Sequence, residues 1–252
     1  MTRRDELVGY LDRYLEAGLG SDYGPNGLQV EGRAEIAKVV TGVSACRELF
    51  ERAVAAGADA ILVHHGLFWN GDARPLVGLL RRRVGILIAA DVSLIAYHLP
   101  LDRHPVVGNN GVAARRFGVA APRPFGSRDG LPLGCGGLLP EPLAPAAFVE
   151  RCGEIFGQEP LAFCAGPDPI RSVAFVSGAA ERLFHDAIAE GYDAFVTGEA
   201  SEWVMNVARE SGTHFVAAGH YATERLGIAA LGEHVAERFG VGVELIDVPN
   251  PV

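Results

Sequence analysis

At 252 residues, with 49% hydrophobic and 21% charged side chains, the chain has the composition of a folded globular protein, sized for one large domain or two small ones, and not of a disordered one. Its 31 acidic against 22 basic residues leave a net charge of -9, which disfavours a broad grip on nucleic-acid phosphates. No apolar run is long enough to span a bilayer, the opening Met1–Glu6 lacks the apolar stretch of a signal peptide, and Cys46, Cys135, Cys152 and Cys164 form no C-x-x-C pair, so a cytoplasmic protein with reduced thiols is expected, without membrane contact.

Leu7, Val8, Leu11 and Leu15 recur at helical spacing, predicting a helix from Arg4 to Ala17 that stops at Gly18 and Gly20. A turn-rich loop carrying Tyr23-Gly24-Pro25-Asn26-Gly27-Leu28-Gln29-Val30 follows, and then the β-branched run Ala37–Val43 predicts a buried strand. A helix from Ala45 to Ala56, closed by Gly57, leads to a second buried strand, Ala60–Val63, which delivers His64, His65 and Gly66 at its carboxyl end. Strand, helix and strand with short connections imply parallel pairing. Arg81-Arg82-Arg83 reads as the solvated end of a helix rather than a phosphate site. Another apolar strand, Val92–Tyr97, ends at His98, with Asp102 four residues on.

The Pro- and Gly-rich stretch Pro122–Pro145 reads as a connection with one short strand; its glycines match neither a P-loop nor G-x-G-x-x-G. Beyond it the phrase Leu49–Ala60 recurs as Leu183–Ala194, Gly57 standing against Gly191. The strand His214–Ala218 then ends at His220 with Glu224 four residues on, as Val92–Tyr97 ends at His98 and Asp102. Gly-x-Asp-Ala is a common helix-to-strand phrase, but that alone does not account for the matched histidine and carboxylate ends. The chain therefore reads as α/β, with two related halves, residues 1–126 and 127–252, built on mainly parallel sheets, and with a soft boundary where the chain can cross between halves.

Ligands of open parallel sheets bind beyond the carboxyl ends of the strands, so a metal site is expected at those ends, between the halves. His64-His65, His98 to Asp102, and His220 to Glu224 all lie there. Imidazole with carboxylate and no thiolate suits two divalent ions of the Zn, Mn, Fe or Ni type rather than a structural zinc. Adjacent histidines on a regular strand point to opposite faces, so the pair is expected where the strand breaks, at Gly66. Glu224, one turn beyond His220 if a helix begins there, could bridge two ions. His104, His185, His214 and His234 lie off these ends and read as surface or packing residues.

At Val63–Trp69, Tyr97–Asp102, Thr197-Gly198-Glu199 and Gly219–Glu224, together with Pro25–Val30, the sequence resembles the NIF-three-like dinuclear-metal family, the GTP cyclohydrolase I type 2 homologs, in its short bacterial form. The resemblance implies that His64, His65, Asp102, His220 and Glu224 are metal ligands, Glu224 shared, and that His98 is a supporting or alternative ligand. It further implies a toroidal homohexamer with the metals facing an inner cavity. Relative to longer members, no large insertion lies between Pro122 and Arg171. A metal-dependent hydrolase acting on a nucleotide or pterin-like molecule is the first functional expectation, with His98 or Glu199 moving protons; a non-enzymatic metal-binding, storage or partner-platform protein is the alternative.

Overall fold

The structure, a computed structural model, describes residues 1–72 and 75–252. In chain order come β1 (Thr2–Arg3), α1 (Arg4–Tyr14), β2 (Gly27–Val30), β3 (Glu35–Ile36), β4 (Lys38–Ser44), α2 (Arg47–Ala55), β5 (Ala60–His65), α3 (Gly78–Ala90), β6 (Ser93–Ala96) and α4 (Leu99–Arg103). Next are α5 (Asn109–Arg116), β7 (Arg123–Arg128), β8 (Leu131–Leu143), α6 (Pro145–Phe156), β9 (Leu161–Phe163) and β10 (Ile170–Phe175). A 3-10 turn at Glu181–Leu183, α7 (Phe184–Ala189), β11 (Ala194–Thr197), α8 (Val204–Ser211), β12 (His214–Ala217), α9 (His220–Phe239) and β13 (Gly242–Leu245) complete the chain. No helix among the described residues is long and apolar enough to cross a membrane.

The chain divides into two compact units, Met1–Leu101 with Ile228–Val248, and Asp102–Gly227 with Pro249–Val252. The division drawn from the sequence at 126/127 falls inside β7, whereas these units divide at 101/102 and exchange the chain again within α9.

The first unit holds a five-stranded sheet in the order β13-β4-β5-β6-β2, parallel throughout except for β2 against β6. Its central strands are continuously apolar because both faces are covered. Leu49, Phe50 and Ala53 of α2 and Val84 and Leu87 of α3 pack with Val40, Ile61, Val63 and Leu94 of the sheet. Burying each large aliphatic or aromatic side chain contributes roughly 1.5–3 kcal/mol, enough to override local preferences at the strand ends. Helix α1 ends at Tyr14, short of the expected Ala17, because Glu16 adopts a left-handed backbone with φ +53° and the chain turns there.

The second unit holds a six-stranded sheet in the order β7-β8-β10-β11-β12-β9, in which only β10, β11 and β12 run parallel. It is a mixed sheet, less parallel than the sequence implies, and the supposed connection Pro122–Pro145 supplies two of its strands. Asp129 and Gly130, with φ +52° and +78°, close β7 and β8 into a hairpin, the left-handed pair that a two-residue hairpin turn requires. The glycine run lies inside β8 for a packing reason: a Cβ at Gly136 would sit 2.7 Å from the Tyr192 ring. Phe125, Phe184, Phe195 and Phe215 form the core of this unit.

The repeated phrase has one structural job in both units. Gly57 and Gly191, at φ +73° and +77°, end their helices. Asp59 Oδ2 then accepts the amides of Ala37 and Lys38 at 2.8 and 3.0 Å, and Asp193 Oδ2 accepts those of Arg171 and Ser172 at 2.7 and 2.9 Å. The carbonyls of the same aspartates accept the amides of Ser93 and His214, so each Asp ties together the starts of three parallel strands.

Candidate metal centre

In the first unit, β5 does not stop at Val63. Its ladder continues to Ser44 opposite His65, and the chain breaks only at Gly66. Both histidines therefore belong to the strand, yet their rings converge beyond its last rung, with centroids 4.7 Å apart. His98, just after β6, adds a third ring at 5.0 Å from His64 and 5.5 Å from His65. One ring nitrogen from each of the three lies within 4.8 Å of the others, a spacing that could hold a metal ion.

Each ring is held by its other nitrogen. His64 Nδ1 is 3.1 Å from the Tyr97 carbonyl, and Tyr97, fully buried, donates its hydroxyl to Asp12 Oδ1 at 2.7 Å. His65 Nδ1 lies 3.1 Å from Ser44 Oγ. His98 Nδ1 donates to Asp22 Oδ1 at 2.6 Å, while Asp22 Oδ2 accepts from Asn26 Nδ2 and from the Leu99 amide. Burial alone would raise the Asp22 carboxyl; the hydrogen bonds from His98, Asn26 and the Tyr23 amide outweigh it and leave the group below its ordinary value. Asp22 was not singled out from the sequence, because nothing local marks it off from other turn aspartates; its pairing with His98 is long-range.

The second unit carries a matching arrangement. His220 is the first residue of α9, and Glu224, one turn on and buried, brings Oε1 to 3.1 Å from His220 Nε2. Glu199 holds the opposite nitrogen, its Oε1 2.5 Å from Nδ1. Burial would lower the His220 pKa, but Glu224 and Glu199 together push it up to about 9. Glycine is needed beside this pair: Gly178 has φ +69°, and a Cβ there would sit 2.5 Å from Glu224 Oε1. Gly198 of the Thr-Gly-Glu motif is needed too, since its Cβ would come 2.6 Å from His220 Cα.

Asp102, near the end of α4, is buried and accepts from Asn109 Nδ2 and Ser177 Oγ on Oδ1, both at 2.8 Å. Asn109 also accepts the Gly227 amide of α9 at 2.7 Å, and Asn110 donates to the Asp102 and Leu133 carbonyls and accepts the Ser177 amide. Sequence reasoning missed these two buried asparagines; the available clue was an Asn-Asn pair opening a helix that continues Gly-Val-Ala-Ala. The remaining histidines are used elsewhere: His214 is buried against the Pro167 carbonyl, His185 stacks on Trp203, His234 stacks on Tyr14, and His104 accepts the amides of Val106 and Val107.

Within each unit, then, an imidazole is backed by a carboxylate on one nitrogen and turns the other toward further ligand-type groups, the usual way of orienting metal-binding histidines. The donor set of imidazoles and carboxylates suits a borderline divalent cation. An α/β chain of two sheet-bearing units, one with a cluster of three histidines and the other with a histidine held between two glutamates, defines the class.

The chain belongs to the Duf34/NIF3 (NGG1p interacting factor 3) family, whose model matches residues 2–251. It is 47% identical over 245 residues to a Pseudomonas aeruginosa protein and 41% identical over 251 residues to one from Escherichia coli K12, covering 97% and 99% of both chains respectively; each is named GTP cyclohydrolase 1 type 2 homolog. Among solved structures it is similar to protein ybgI, of unknown function, at 40% identity and TM-score 0.94, and to a protein from Thermus thermophilus at 38% and 0.91, each covering 100% of both chains.

Proposed function

We propose that this protein is a divalent-metal-dependent hydrolase in which His64, His65, Asp102, His220 and Glu224 hold two cations of the Zn, Mn, Fe or Ni type, with Glu224 shared. The observation that carries this reading is the convergence of the His64 and His65 rings beyond the last rung of β5, centroids 4.7 Å apart, with the His98 ring beside both. When bound, two such cations would acidify a water molecule and polarise the bond to be cut. Asp22 fixes the His98 tautomer with Nδ1 protonated, so Nε2 is the nitrogen available to accept or deliver a proton. Glu199, expected from sequence to move protons, is engaged at His220 Nδ1, which supports a positioning role: it aims His220 Nε2 toward Glu224. The name of the relatives favours a nucleotide or pterin-like substrate. Assembly as a toroidal homohexamer and a cytoplasmic location belong to the same proposal and rest on the resemblance and the composition.

Elemental analysis of protein purified without chelator, followed by a hydrolysis screen on nucleotides and phosphoesters with the metal found, tests it. Close to two ions per chain and metal-dependent turnover are expected. One ion or none would remove the dinuclear reading, and two ions without turnover of any substrate would replace the hydrolase by a metal-storage or delivery protein.

A further inference from the structure

Immediately after β5 the chain enters a cavity of about 540 Å³, within the range of small-molecule sites, lined by Pro25, Phe68, Trp69 and Asp72 and by Leu80 and Arg83 of α3. Its Trp69 wall is shared with the histidine cluster: the indole lies edge-on to His98 at 5.2 Å and tilted against His65 at 5.8 Å. Arg83 separates from the rest of the arginine run. The run lies in the second turn of α3 and not at a helix end; Arg81 and Arg82 are exposed, whereas Arg83 is half-buried in the cavity lining and makes no ion pair among the described residues.

These groups complement one kind of ligand. Phe68 and Trp69 offer aromatic surface, and base-to-aromatic stacking is sequence-tolerant because every heterocycle has a π-face. Asp72 can accept from a ring N–H or an amino group. A guanidinium without a carboxylate partner matches a phosphate, which it can bind through two parallel N–H donors. We propose that this cavity binds a planar nitrogen heterocycle carrying a phosphate, the ring against Trp69 and the phosphate on Arg83, and so presents it to the histidine cluster. This deepens the hydrolase reading and depends on it only for calling the ligand a substrate; binding itself needs no metal.

The chain has two tryptophans, so a Trp203→Phe background leaves Trp69 as the only indole reporter. GMP, guanosine and ribose 5-phosphate are titrated into chelator-stripped and zinc-loaded protein, by fluorescence and by calorimetry. GMP is expected to bind roughly tenfold or more tightly than either fragment, as a charge-assisted contact added to stacking would give. Arg83→Gln should erase the advantage of GMP over guanosine, and Arg83→Lys should keep part of it. No binding by either method, GMP binding no better than guanosine, or an Arg83→Gln variant with unchanged GMP affinity would overturn the proposal. Binding to stripped protein without any turnover when metal is present keeps the cavity and sinks the hydrolase. Turnover of nucleotides that is indifferent to Arg83→Gln does the reverse.

Discussion

Gly178→Ala is the sharpest perturbation of the His220–Glu224 pair, because Gly191→Ala supplies a matched control. Both glycines have left-handed backbones, φ +69° and +77°. Alanine at either costs roughly 1–2 kcal/mol of conformational strain, a loss of about 2–8 °C in Tm for a chain of this size. The two differ in surroundings. At Gly191 an added Cβ meets nothing within 4 Å, while at Gly178 it lies 2.5 Å from Glu224 Oε1 and 3.2 Å from His220 Nε2. To reach ordinary contact at 3.4 Å the carboxylate oxygen must retreat by roughly 0.9 Å (3.4 − 2.5). Disturbing the groups that set a metal ligand's position costs roughly 10–100-fold in metal affinity, so zinc affinity, measured by competition with a chromogenic chelator, should fall by roughly tenfold or more in Gly178→Ala alone. Similar melting losses but unequal metal affinities are the expected pattern. Equal zinc affinity in the two variants would refute the idea that the Gly178 turn makes room for a ligand carboxylate.

Three further outcomes follow from the same geometry. Glu224→Ala should lower the content of both ions by elemental analysis and Asp102→Ala chiefly that of one, since only the shared carboxylate serves two; equal effects would remove Glu224 as the bridge. His98→Ala should keep most of the metal while reducing turnover by roughly tenfold or more, the low end for a positioned acid or base, and loss of one ion would instead make His98 a direct ligand. In chelator-stripped protein, His220 is raised from its ordinary 6.5 to about 9, so its contribution to stability is full below about pH 6.5 and fades as the pH climbs to about 9. Thermal melts should fall across that window and Glu199→Gln should flatten the fall; a flat wild-type profile would count against the Glu199–His220–Glu224 arrangement.

Much of this was legible from local pattern. Continuous apolar runs marked β4, β5 and β6 because a strand covered on both faces has no polar alternation to show. The repeated Gly-x-Asp-Ala phrase marked two like units, and its Asp proved to bind the amides at the start of the neighbouring strand in each. What misled was composition: Pro122–Pro145 reads as a linker, since glycine and proline break local preferences, but Asp129-Gly130 is itself a hairpin turn and the flanking residues are strands.

By itself, the sequence determined which side chains carry ligand-type chemistry and where along the chain they fall, since residue chemistry and strand ends are local properties. Tertiary structure alone decided what holds them. Asp22 is far in sequence from His98, as are Glu199 from His220 and Asn109 from Gly227, and no periodicity encodes such pairings. The same holds for Arg83, set apart from the exposed Arg81 and Arg82 beside it, and for the last rung of β5, where alternation predicts divergent rings and packing brings them together. Hydrogen bonds and cavities are made by segments that meet only when the sheets close, and their geometry is set by what is packed around them.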